Sequence, residues 1–524
     1  MLDILIKNGL IIDGTGSPGF YGHIGIDGDS IQIFRGDISA INAKKTIEAE
    51  NRVVCPGFID VHAHSGLVIL SQPEHHAKVR QGVTTELIGV DGNSYAPFRN
   101  HDDFLRFVEL NSGLDGNPPL PGKWSTVEQY LNMFHRKVAV NIAYILGNSP
   151  VRIDAIGWHS GVASSSDIEN MKSMIREAME EGAFGLSTGL DYPPGNFANT
   201  DEIVALCEQV SDLGGIYHTH VRYRLGDGYL DPHNEAIEIG RRSGVPVHIT
   251  HLSQRSSYPS GDRLLQLVET ASETGQDITF DSVPLYPGST RILILFPDWV
   301  HDGGPEKIKE VLSSSSGRER LKKEIVVTDP SWQDMWVTYF KNPQNYKFDG
   351  MSVSEVALAR NQHPVDAICD LLLEEDLQVS YNAMGSNLKT LPAFITHPLS
   401  MVGSDALLLG DHPPPRSYGT FTSILESYTR DEKQMSLPTA IRKMTAFPAQ
   451  RLGVRNRGIL RDGMKADIVV FDPLTVKTTA TRTNPKQFPI GIQHVLVNGI
   501  QVVQDGRHTG ALPGRALKFN RGSI

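Results

Sequence analysis

Two histidines, His62 and His64, follow a short apolar segment in the stretch V-C-P-G-F-I-D-V-H-A-H-S, which covers residues 54–65. The apolar run Val54–Val61 is typical of a strand that is buried on both faces of a parallel sheet. Because alternate residues of a strand point to the same side, both imidazoles can reach one point. Two neutral imidazoles are half of a metal site. The alternative is a pair of surface histidines at a strand end.

Further candidate ligands lie at the C-terminal ends of other predicted strands. Zinc takes imidazole nitrogen and carboxylate oxygen and keeps a position open for water, which ionises near neutral pH when it is bound. A nearby carboxylate can accept a proton and pass one to a leaving nitrogen. We assign this catalytic role to Asp405, for which a helix N-cap is the alternative. The residues expected to hold the metal are His62, His64, Asp91, His220 and His251.

Strand periodicity leaves part of this choice open. By alternation His218 shares a face with His220, and His248 also flanks a strand end, so either His218 or His248 could be a ligand or support one. Asp60 is expected to serve in polar packing or to support a ligand, and Asp281 to belong to the rim of the barrel. The spacing does not specify how many metal ions are bound.

The elements that would position these residues alternate between short apolar strands and helices from Val54 to about residue 450. Eight strands in this rhythm predict the α/β class and a (β/α)₈ barrel, in which chemistry takes place at the C-terminal ends of the strands. The predicted strands are Phe58–Val61, Thr84–Gly89, Val138–Leu146, Gly185–Ser187, Gly215–His220, Pro246–His251, Ile278–Ser282 and Ser400–Gly403.

Both ends of the chain show strand patterns with turn pairs such as Asn498-Gly499. The simplest interpretation is that residues 1–55 and 451–524 form one β-sandwich, with the barrel of residues 56–450 inserted between them. A long interval between the seventh and eighth strands, Pro284–Leu399, predicts a small insertion at approximately 287–350. This insertion could cover the mouth of the barrel or pack on its side.

Composition excludes several classes of protein. The 524 residues carry a formal net charge of -11, which argues against a nucleic-acid surface. The three cysteines, Cys55, Cys207 and Cys369, form no CxxC pair; this excludes a disulfide scaffold and favours a reducing compartment, so we expect a cytoplasmic protein. We find neither a signal peptide nor an apolar run long enough for a membrane span, and therefore expect no membrane partner. A homo-oligomer is left open.

Short motifs extend along nearly the whole chain: P-G-F-I-D-V-H-A-H (56–64), G-L-S-T-G-L-D-Y-P-P-G (185–195), Y-H-T-H-V-R (217–222), V-P-V-H-I-T-H (245–251), G-S-D (403–405) and G-M-K-A-D-I-V-V-F-D-P (463–473). Together they resemble the D-aminoacylase (N-acyl-D-amino-acid deacylase) family of the amidohydrolase superfamily. The resemblance implies metal-dependent hydrolysis of a C–N amide bond in a small molecule, foremost an N-acyl-D-amino acid. The cofactor it implies is one or two zinc ions, with manganese or cobalt as alternatives.

The resemblance also implies roles for individual residues. His62 and His64 match a strand-one pair of ligands, and His220 and His251 match the imidazoles of a tight metal site. Asp405 matches the catalytic aspartate. Positions that line the substrate pocket or hold a carboxylate in relatives correspond to Tyr192, Tyr286, Ser289 and Arg416, and Arg222 matches a family arginine beside the strand-five histidine.

Departures from the family pattern bear on the metal and on the substrate. Asp91, in Gly89-Val90-Asp91-Gly92, stands where relatives show a cysteine ligand; a carboxylate keeps the negative charge but makes the site harder, so we expect Asp91 to ligate or bridge the metals. Ser253 stands where many relatives carry a lysine. The fourth strand offers no lysine for a carboxylated bridge. A cyclic or aryl amide, or a carbamoyl compound, is the alternative substrate, and a non-catalytic binding protein is the alternative function.

Overall fold

The computed structural model describes residues 1–327 and 330–520, and it alternates strands and helices through the middle of the chain. The strands are Leu2–Ile11, Phe20–Asp27, Ser30–Phe34, Ala43–Glu48, Val53–Pro56, Phe58–Asp60, Val83–Ile88, Asn141–Tyr144, Leu146–Gly147, Gly185–Gly189, Ile216–His220, Val247–Ile249, Ile278–Ser282, Gly288–Arg291, Met335–Thr338, Ser380–Ala383, Ser400–Val402, Ile468–Phe471, Ile492–Val497, Ile500–Gln504 and Arg507–His508.

The helices are mostly short and lie between these strands. The α-helices are Val68–Ser71, His76–Val79, His101–Asp115, Val127–Phe134, Asn148–Ile156, Ser165–Glu181, Thr200–Leu213, Asp231–Ser243, Gly261–Glu273, Asp298–His301, Pro305–Ser313, Ser315–Glu324, Val353–Arg360, Pro364–Glu374, Leu391–Thr396, Arg416–Ser423, Leu437–Met444 and Ala446–Arg451; 3₁₀-helices cover Gly195–Phe197, Ile292–Leu295 and Pro343–Phe348, and Ile424–Asp431 is a π-helix. Among the described residues, no helix combines the length and the apolar character that crossing a membrane requires.

Each of the eight segments predicted as a parallel strand contains a strand, and we number these parallel strands one to eight in chain order. Strands one to three pair in order, and the sheet continues in order from the second half of strand three to strand eight. Strand three is interrupted at Ile145, whose backbone N–H donates to the carbonyl of Ile88 at 2.9 Å. A parallel bridge between Ala63 and Ala406 joins the residues that follow strands one and eight. The C-terminal ends of all eight strands are thereby brought to one side.

The apolar run Val54–Val61, predicted as one strand, is in fact divided between two sheets. Val53–Pro56 pairs with the terminal strands Leu2–Ile11 and Ile468–Phe471, whereas Phe58–Asp60 pairs with parallel strand two. Gly57 separates the two parts, and a Cβ atom at this position would collide with the side chain of Thr84. The chain passes from one sheet to the next at the only residue type that permits this approach.

Strands from both ends of the chain share one nine-stranded sheet. Its first strand, Leu2–Ile11, replaces two strands that the sequence predicts at Ile4–Lys7 and Leu10–Asp13. The predicted turn at Asn8-Gly9 is an irregularity within this strand, because the pairing register shifts there and Asn8 has φ +59°. A bulge accommodates such a left-handed residue without ending the strand. The division of this sheet into a two-layered sandwich stays a prediction.

The segment between strands seven and eight carries a small antiparallel sheet of its own. Its strands are Gly288–Arg291, Met335–Thr338 and Ser380–Ala383, with the last in the centre. This sheet extends beyond the end near residue 350 that the sequence suggests for the insertion. Residues from all three strands line the cavity above the parallel strands, so the insertion covers the site rather than the side of the molecule.

A buried group of charges joins the first two parallel strands to the turn after the eighth. The ammonium of Lys78 lies 3.2 Å from the carboxylate of Glu86 and donates hydrogen bonds to Asp60 and Ser404. Asp60 in turn accepts hydrogen bonds from the backbone N–H groups of His62 (3.1 Å) and Ser404 (3.0 Å). Burial alone would lower the pKa of Lys78, but the two carboxylates raise it above its ordinary value. Asp60 therefore fixes the backbone of a candidate metal ligand.

We predict that Lys78→Met destabilises the protein by about 3–5 kcal/mol, because it leaves the buried carboxylate of Asp60 without its counter-charge and removes one of the two basic partners of Glu86. Chemical denaturation followed by circular dichroism measures this loss. Lys44→Met is the matched control, since Lys44 pairs with Asp3 at 2.7 Å but is 62% exposed; it should leave the denaturation midpoint nearly unchanged. Equal behaviour of the two variants would contradict the role given to the buried group.

Candidate metal centre and active site

One carboxylate oxygen lies among four imidazoles at the C-terminal ends of the parallel strands. The Oδ2 atom of Asp91 is 3.3 Å from His62 Nε2, 3.6 Å from His64 Nε2, 3.7 Å from His220 Nδ1 and 3.9 Å from His251 Nε2. The structure thus brings together all five residues that the sequence suggests as metal ligands, although they are separated by up to 189 positions, the interval from 62 to 251.

The five residues divide into two groups of three that share Asp91. His62, His64 and Asp91 form one group, and Asp91, His220 and His251 form the other; within each group the ligand atoms lie within 4.8 Å of one another. A third overlapping group combines His62 and His251 with Asp405. The arrangement offers one position for a cation, or two positions bridged by the Asp91 carboxylate.

Two buried atoms of the cluster are suited to a cation. His62 Nε2 and Asp91 Oδ1 have no hydrogen-bond partner among the described residues. A buried polar atom without a partner costs about 1–3 kcal/mol, and a bound cation would remove this cost at both atoms. The donor set of imidazole nitrogen and carboxylate oxygen suits zinc, and the added carboxylate also suits manganese.

Three residues of the site have strained backbone conformations. Asp91, His251 and Asp405 each follow a parallel strand and adopt left-handed backbone conformations, with φ of +54°, +35° and +45°. Non-glycine residues in this region cost about 1–3 kcal/mol each and tend to occur at functional sites. Hydrogen bonds hold two of the turns, from His251 N–H to Asp281 (3.0 Å) and from Asp405 N–H to the carbonyl of His62 (2.9 Å).

Buried carboxylates lie behind the strand-one imidazoles and orient them. His64 Nδ1 is 3.0 Å from Asp115 Oδ1, and Asp115 also accepts a hydrogen bond from the hydroxyl of Tyr95 at 2.6 Å. His62 Nδ1 is 3.4 Å from Asp281 Oδ2. A carboxylate on the far nitrogen fixes the tautomer and ring orientation of a metal-binding histidine. In both cases Nε2 is left to face Asp91.

A third carboxylate, Asp191, plays the same part for His220. Its Oδ2 atom lies 3.4 Å from His220 Nε2, so that Nδ1 of this ring faces Asp91. Neither Asp191 nor Asp115 is predicted from the sequence. Asp191 lies inside the motif of residues 185–195, which was the one available signal. Asp115 ends the helix His101–Asp115, and its sequence surroundings give no sign of the contact.

His218 and His248, which strand alternation left as possible ligands, contact other groups than Asp91. His218 Nε2 lies 3.1 Å from the carbonyl of Val61, while His248 lies 2.8 Å from Thr279 Oγ1 and 3.1 Å from Asp281 Oδ2. Their rings stack with centroids 4.8 Å apart. Together with Asp281 they form a separate cluster, and His220 and His251 are the imidazoles that face Asp91.

The charges of the cluster set the protonation of its members. Burial would raise the pKa of Asp91, but His62 and the hydrogen bonds from the surrounding imidazoles hold it well below its usual range. Burial lowers the pKa of His62, but Asp91, Asp281 and Asp405 outweigh this effect and raise it to about 10, so a cation bound there must displace a proton. Burial and the neighbouring His220 lower the pKa of His251 to about 4, which leaves this imidazole neutral at pH 7 and free to ligate.

A cavity of about 440 Å³ opens onto the cluster and has Asp91, His220, His251 and Asp405 in its wall. The predicted substrate-binding residues Tyr192, Tyr286, Ser289 and Arg416 also line it. The hydroxyl of Tyr286 is 3.2 Å from that of Ser253, and the hydroxyl of Tyr192 is 2.9 Å from that of Thr290. A single space therefore contains the candidate ligands and most of the residues expected to contact substrate.

Arg222 is placed differently from the other predicted substrate-binding residues. Its guanidinium lies 3.2 Å from Glu235 and donates hydrogen bonds to the backbone carbonyls of Asn196 (2.6 Å) and Ala198 (2.7 Å). The cavity wall does not include it. Since its donors are used within the protein, Arg222 holds the loop after strand four, near Tyr192, rather than a ligand.

Comparison with known proteins places the chain in a family. The profile of the amidohydrolase family matches residues 45–306 and 323–503. The D-aminoacylase of Alcaligenes xylosoxydans xylosoxydans is 32% identical over 528 aligned residues, which cover 98% of this chain and 97% of the relative. This chain belongs to the amidohydrolase family. The resemblance identified from the motifs is thereby confirmed.

Two other members of this family are similar over nearly their whole length. The N-acyl-D-aspartate deacylase of the same organism is 32% identical, with 98% of this chain and 95% of the relative covered. The crystal structure of N-acyl-D-glutamate deacylase from Bordetella bronchiseptica is 29% identical, has a TM-score of 0.83 and covers 99% of this chain and 100% of that chain. That structure contains zinc and a phosphonate inhibitor that mimics the tetrahedral intermediate of its reaction.

We predict that Asp91→Ala lowers the affinity of this amidohydrolase for zinc by more than about 100-fold. Removing a residue that only supports a metal ligand lowers metal affinity by about 10- to 100-fold, and removing a ligand itself should cost more. Competition with a chelator, followed by elemental analysis, measures the change. Asp201→Ala serves as the control, since Asp201 is 80% exposed on a helix and pairs with Arg242. A zinc titration of Asp91→Ala that matches wild type would exclude Asp91 as a ligand or bridge.

Proposed function

We propose that this chain is a metal-dependent hydrolase that cleaves the C–N amide bond of an N-acyl-D-amino acid. The observation that carries the proposal is the Asp91 oxygen within 3.9 Å of four imidazole nitrogens in the wall of a substrate-sized cavity. The names of the similar proteins, which act on N-acyl derivatives of D-amino acids, support the choice of substrate.

The proposed cofactor is one or two zinc ions, with manganese or cobalt as alternatives. His62, His64, Asp91, His220 and His251 would hold them. A bound divalent cation would supply Lewis acidity toward a carbonyl oxygen and would lower the pKa of water. The zinc present in the N-acyl-D-glutamate deacylase structure supports this assignment.

Asp405 is the proposed catalytic residue. Its Oδ1 atom faces the strand-one pair, at 3.6 Å from His62 Nε2 and 3.4 Å from His64 Nε2, while its Oδ2 atom lies 2.8 Å from the guanidinium of Arg416. Burial would raise the pKa of Asp405, but Arg416 and His62 lower it to about 2, so the carboxylate is ionised at neutral pH. It can therefore accept a proton from the attacking water and deliver one to the leaving nitrogen.

The remaining substrate contacts and the architecture belong to the same proposal. Tyr192, Tyr286, Ser289 and Arg416 would contact the substrate from the cavity wall. We infer that parallel strands one to eight form a closed (β/α)₈ barrel within residues 56–450, which the bridge from Ala63 to Ala406 supports. Residues 1–55 and 451–524 would form the accompanying sandwich. The buried thiols of Cys55, Cys207 and Cys369 suit a cytoplasmic protein.

We expect the zinc-loaded protein to hydrolyse N-acyl-D-amino acids and to leave the L enantiomers nearly untouched. A panel of N-acetyl-D- and N-acetyl-L-amino acids, assayed for release of the free amine, tests this with zinc, manganese and cobalt in turn. Cyclic amides, aryl amides and carbamoyl compounds complete the panel. If only cyclic amides, aryl amides or carbamoyl compounds are hydrolysed, the N-acyl-D-amino acid is not the substrate. Tight metal binding without turnover of any compound would favour the non-catalytic alternative.

We further expect Asp405→Asn to keep the fold and the bound metal but to lower kcat by about 10²- to 10⁴-fold, because the amide cannot accept a proton. Asp411→Asn is the matched control: Asp411 is 85% exposed and pairs with Lys486 outside the cavity. Circular dichroism and metal content accompany the kinetics. An Asp405→Asn enzyme with wild-type kcat would refute the proposed mechanism.

A further inference from the structure

We propose that Arg255 binds the carboxylate of the amino-acid half of the substrate, and that this contact makes a negative charge beside the scissile amide a requirement for efficient hydrolysis. Arg255 lies in the wall of the same cavity that holds Asp91 and Asp405. The inference rests on the proposed function and adds to it the residue that selects for the charge.

Three arginines line the cavity, and two of them are paired with carboxylates of the protein. Arg224 donates hydrogen bonds to the carbonyls of Ile294 and Phe296, the second at 3.4 Å, and lies 3.9 Å from Asp298. Arg416 is paired with Asp405 at 2.8 Å and donates a second hydrogen bond into the backbone. Each of these two guanidinium groups therefore already has a carboxylate of the protein as its partner.

Arg255 differs from both. Its guanidinium stacks on the ring of Tyr223, with Cζ 3.5 Å from the ring centroid. Burial would lower the pKa of Arg255, but Tyr223, Tyr258 and Asp191 together raise it. No carboxylate oxygen of residues 1–327 and 330–520 forms an ion pair with Arg255, and Asp191 itself is 3.4 Å from His220 Nε2. A planar guanidinium without an acidic partner in a partly enclosed cavity matches the two oxygens of a carboxylate.

The position of Arg255 relative to the metal cluster suits this role. The hydroxyl of Tyr223, on which the guanidinium stacks, is 3.4 Å from Nδ1 of His251. Arg255 is therefore separated from a candidate metal ligand by a single aromatic ring. In an N-acyl-amino acid the carboxylate is attached to the carbon next to the amide nitrogen, so the anion and the scissile bond must be recognised at adjacent points.

The insertion holds Arg255 in place through the backbone. Ser256 N–H donates to the carbonyl of Gly385 at 2.9 Å, and Asn387 N–H donates to the carbonyl of Gln254 at 2.8 Å. These bonds form an antiparallel bridge between Arg255 and Ser386. Because the backbone on both sides of Arg255 is fixed and its guanidinium stacks on Tyr223, the guanidinium is oriented before the substrate arrives, which reduces the entropy lost on binding.

The test compares N-acetyl-D-amino acids with their carboxamide analogues, which keep the shape but lack the charge, on the zinc-loaded enzyme. Wild type should prefer the free acid. Arg255→Gln should lose about 10- to 100-fold in kcat/KM for the acid, the usual scale for a charge-assisted hydrogen bond, and less than about threefold for the carboxamide. Arg255→Lys should recover part of the preference. Arg224→Gln, which removes an arginine charge from the same cavity wall, should leave the acid-to-carboxamide ratio unchanged.

The outcomes separate this inference from the proposed function. If wild type hydrolyses acid and carboxamide equally, or if Arg255→Gln keeps the wild-type ratio, Arg255 does not select the carboxylate, while the amidohydrolase activity stands. If wild type hydrolyses neither compound, the proposed function fails and the inference falls with it. Zinc content and circular dichroism verify that Arg255→Gln is folded; if it is not, the acid preference of wild type and its reduction in Arg255→Lys decide the question.

Discussion

The structure depends on one constraint: a buried carboxylate, that of Asp91, requires positive charge around it. Its Oδ2 atom lies 3.3–3.9 Å from ring nitrogens of four histidines that arrive from three separate segments of the chain. A buried anion without such partners would cost several kcal/mol. Parallel strands that end on one side are well suited to meet this demand, because each contributes the residue at or after its C-terminal end. Strain at Asp91, His251 and Asp405 indicates that the cluster, rather than local backbone preference, sets these turns.

Further buried charged groups surround the cluster and hold its imidazoles in place. Asp115, Asp281 and Asp191 each contact the far side of an imidazole, so every ring that faces Asp91 from strands one and five has a carboxylate at its far nitrogen. Beneath them, Lys78 and Asp60 hold the backbone from which His62 projects. Buried polar groups tolerate little misplacement, since each unpaired member costs free energy. The precision of the cluster therefore comes from contacts that do not touch the substrate.

Much of this organisation could be predicted from the sequence, because short buried strands leave a clear apolar pattern and period-two alternation places His62 and His64 on one side. The eight parallel strands and the His62–His64 pair follow from these signals, whereas alternation does not decide between His218 and His220, and the family resemblance made that choice. The break at Gly57 could not be predicted, since it depends on the approach of Thr84 from another strand. Asp115 was missed for the same reason: it ends an ordinary helix, and only the tertiary fold brings it to His64. Arg222 resembles a site residue in sequence, yet Glu235 and two carbonyls take up its donors.

Two parts of the chain with different roles line the cavity. The candidate ligands and Asp405 come from the ends of the parallel strands, whereas Gly385, Ser386 and Asn387 of the insertion hold the segment that carries Arg255. Changes in the insertion can therefore move the guanidinium that meets the substrate without displacing an imidazole around Asp91. A shift of His251, in contrast, would be passed to Arg255, because Tyr223 contacts both residues. Substrate selection can thus change while the metal cluster stays the same, provided that the guanidinium still stacks on Tyr223.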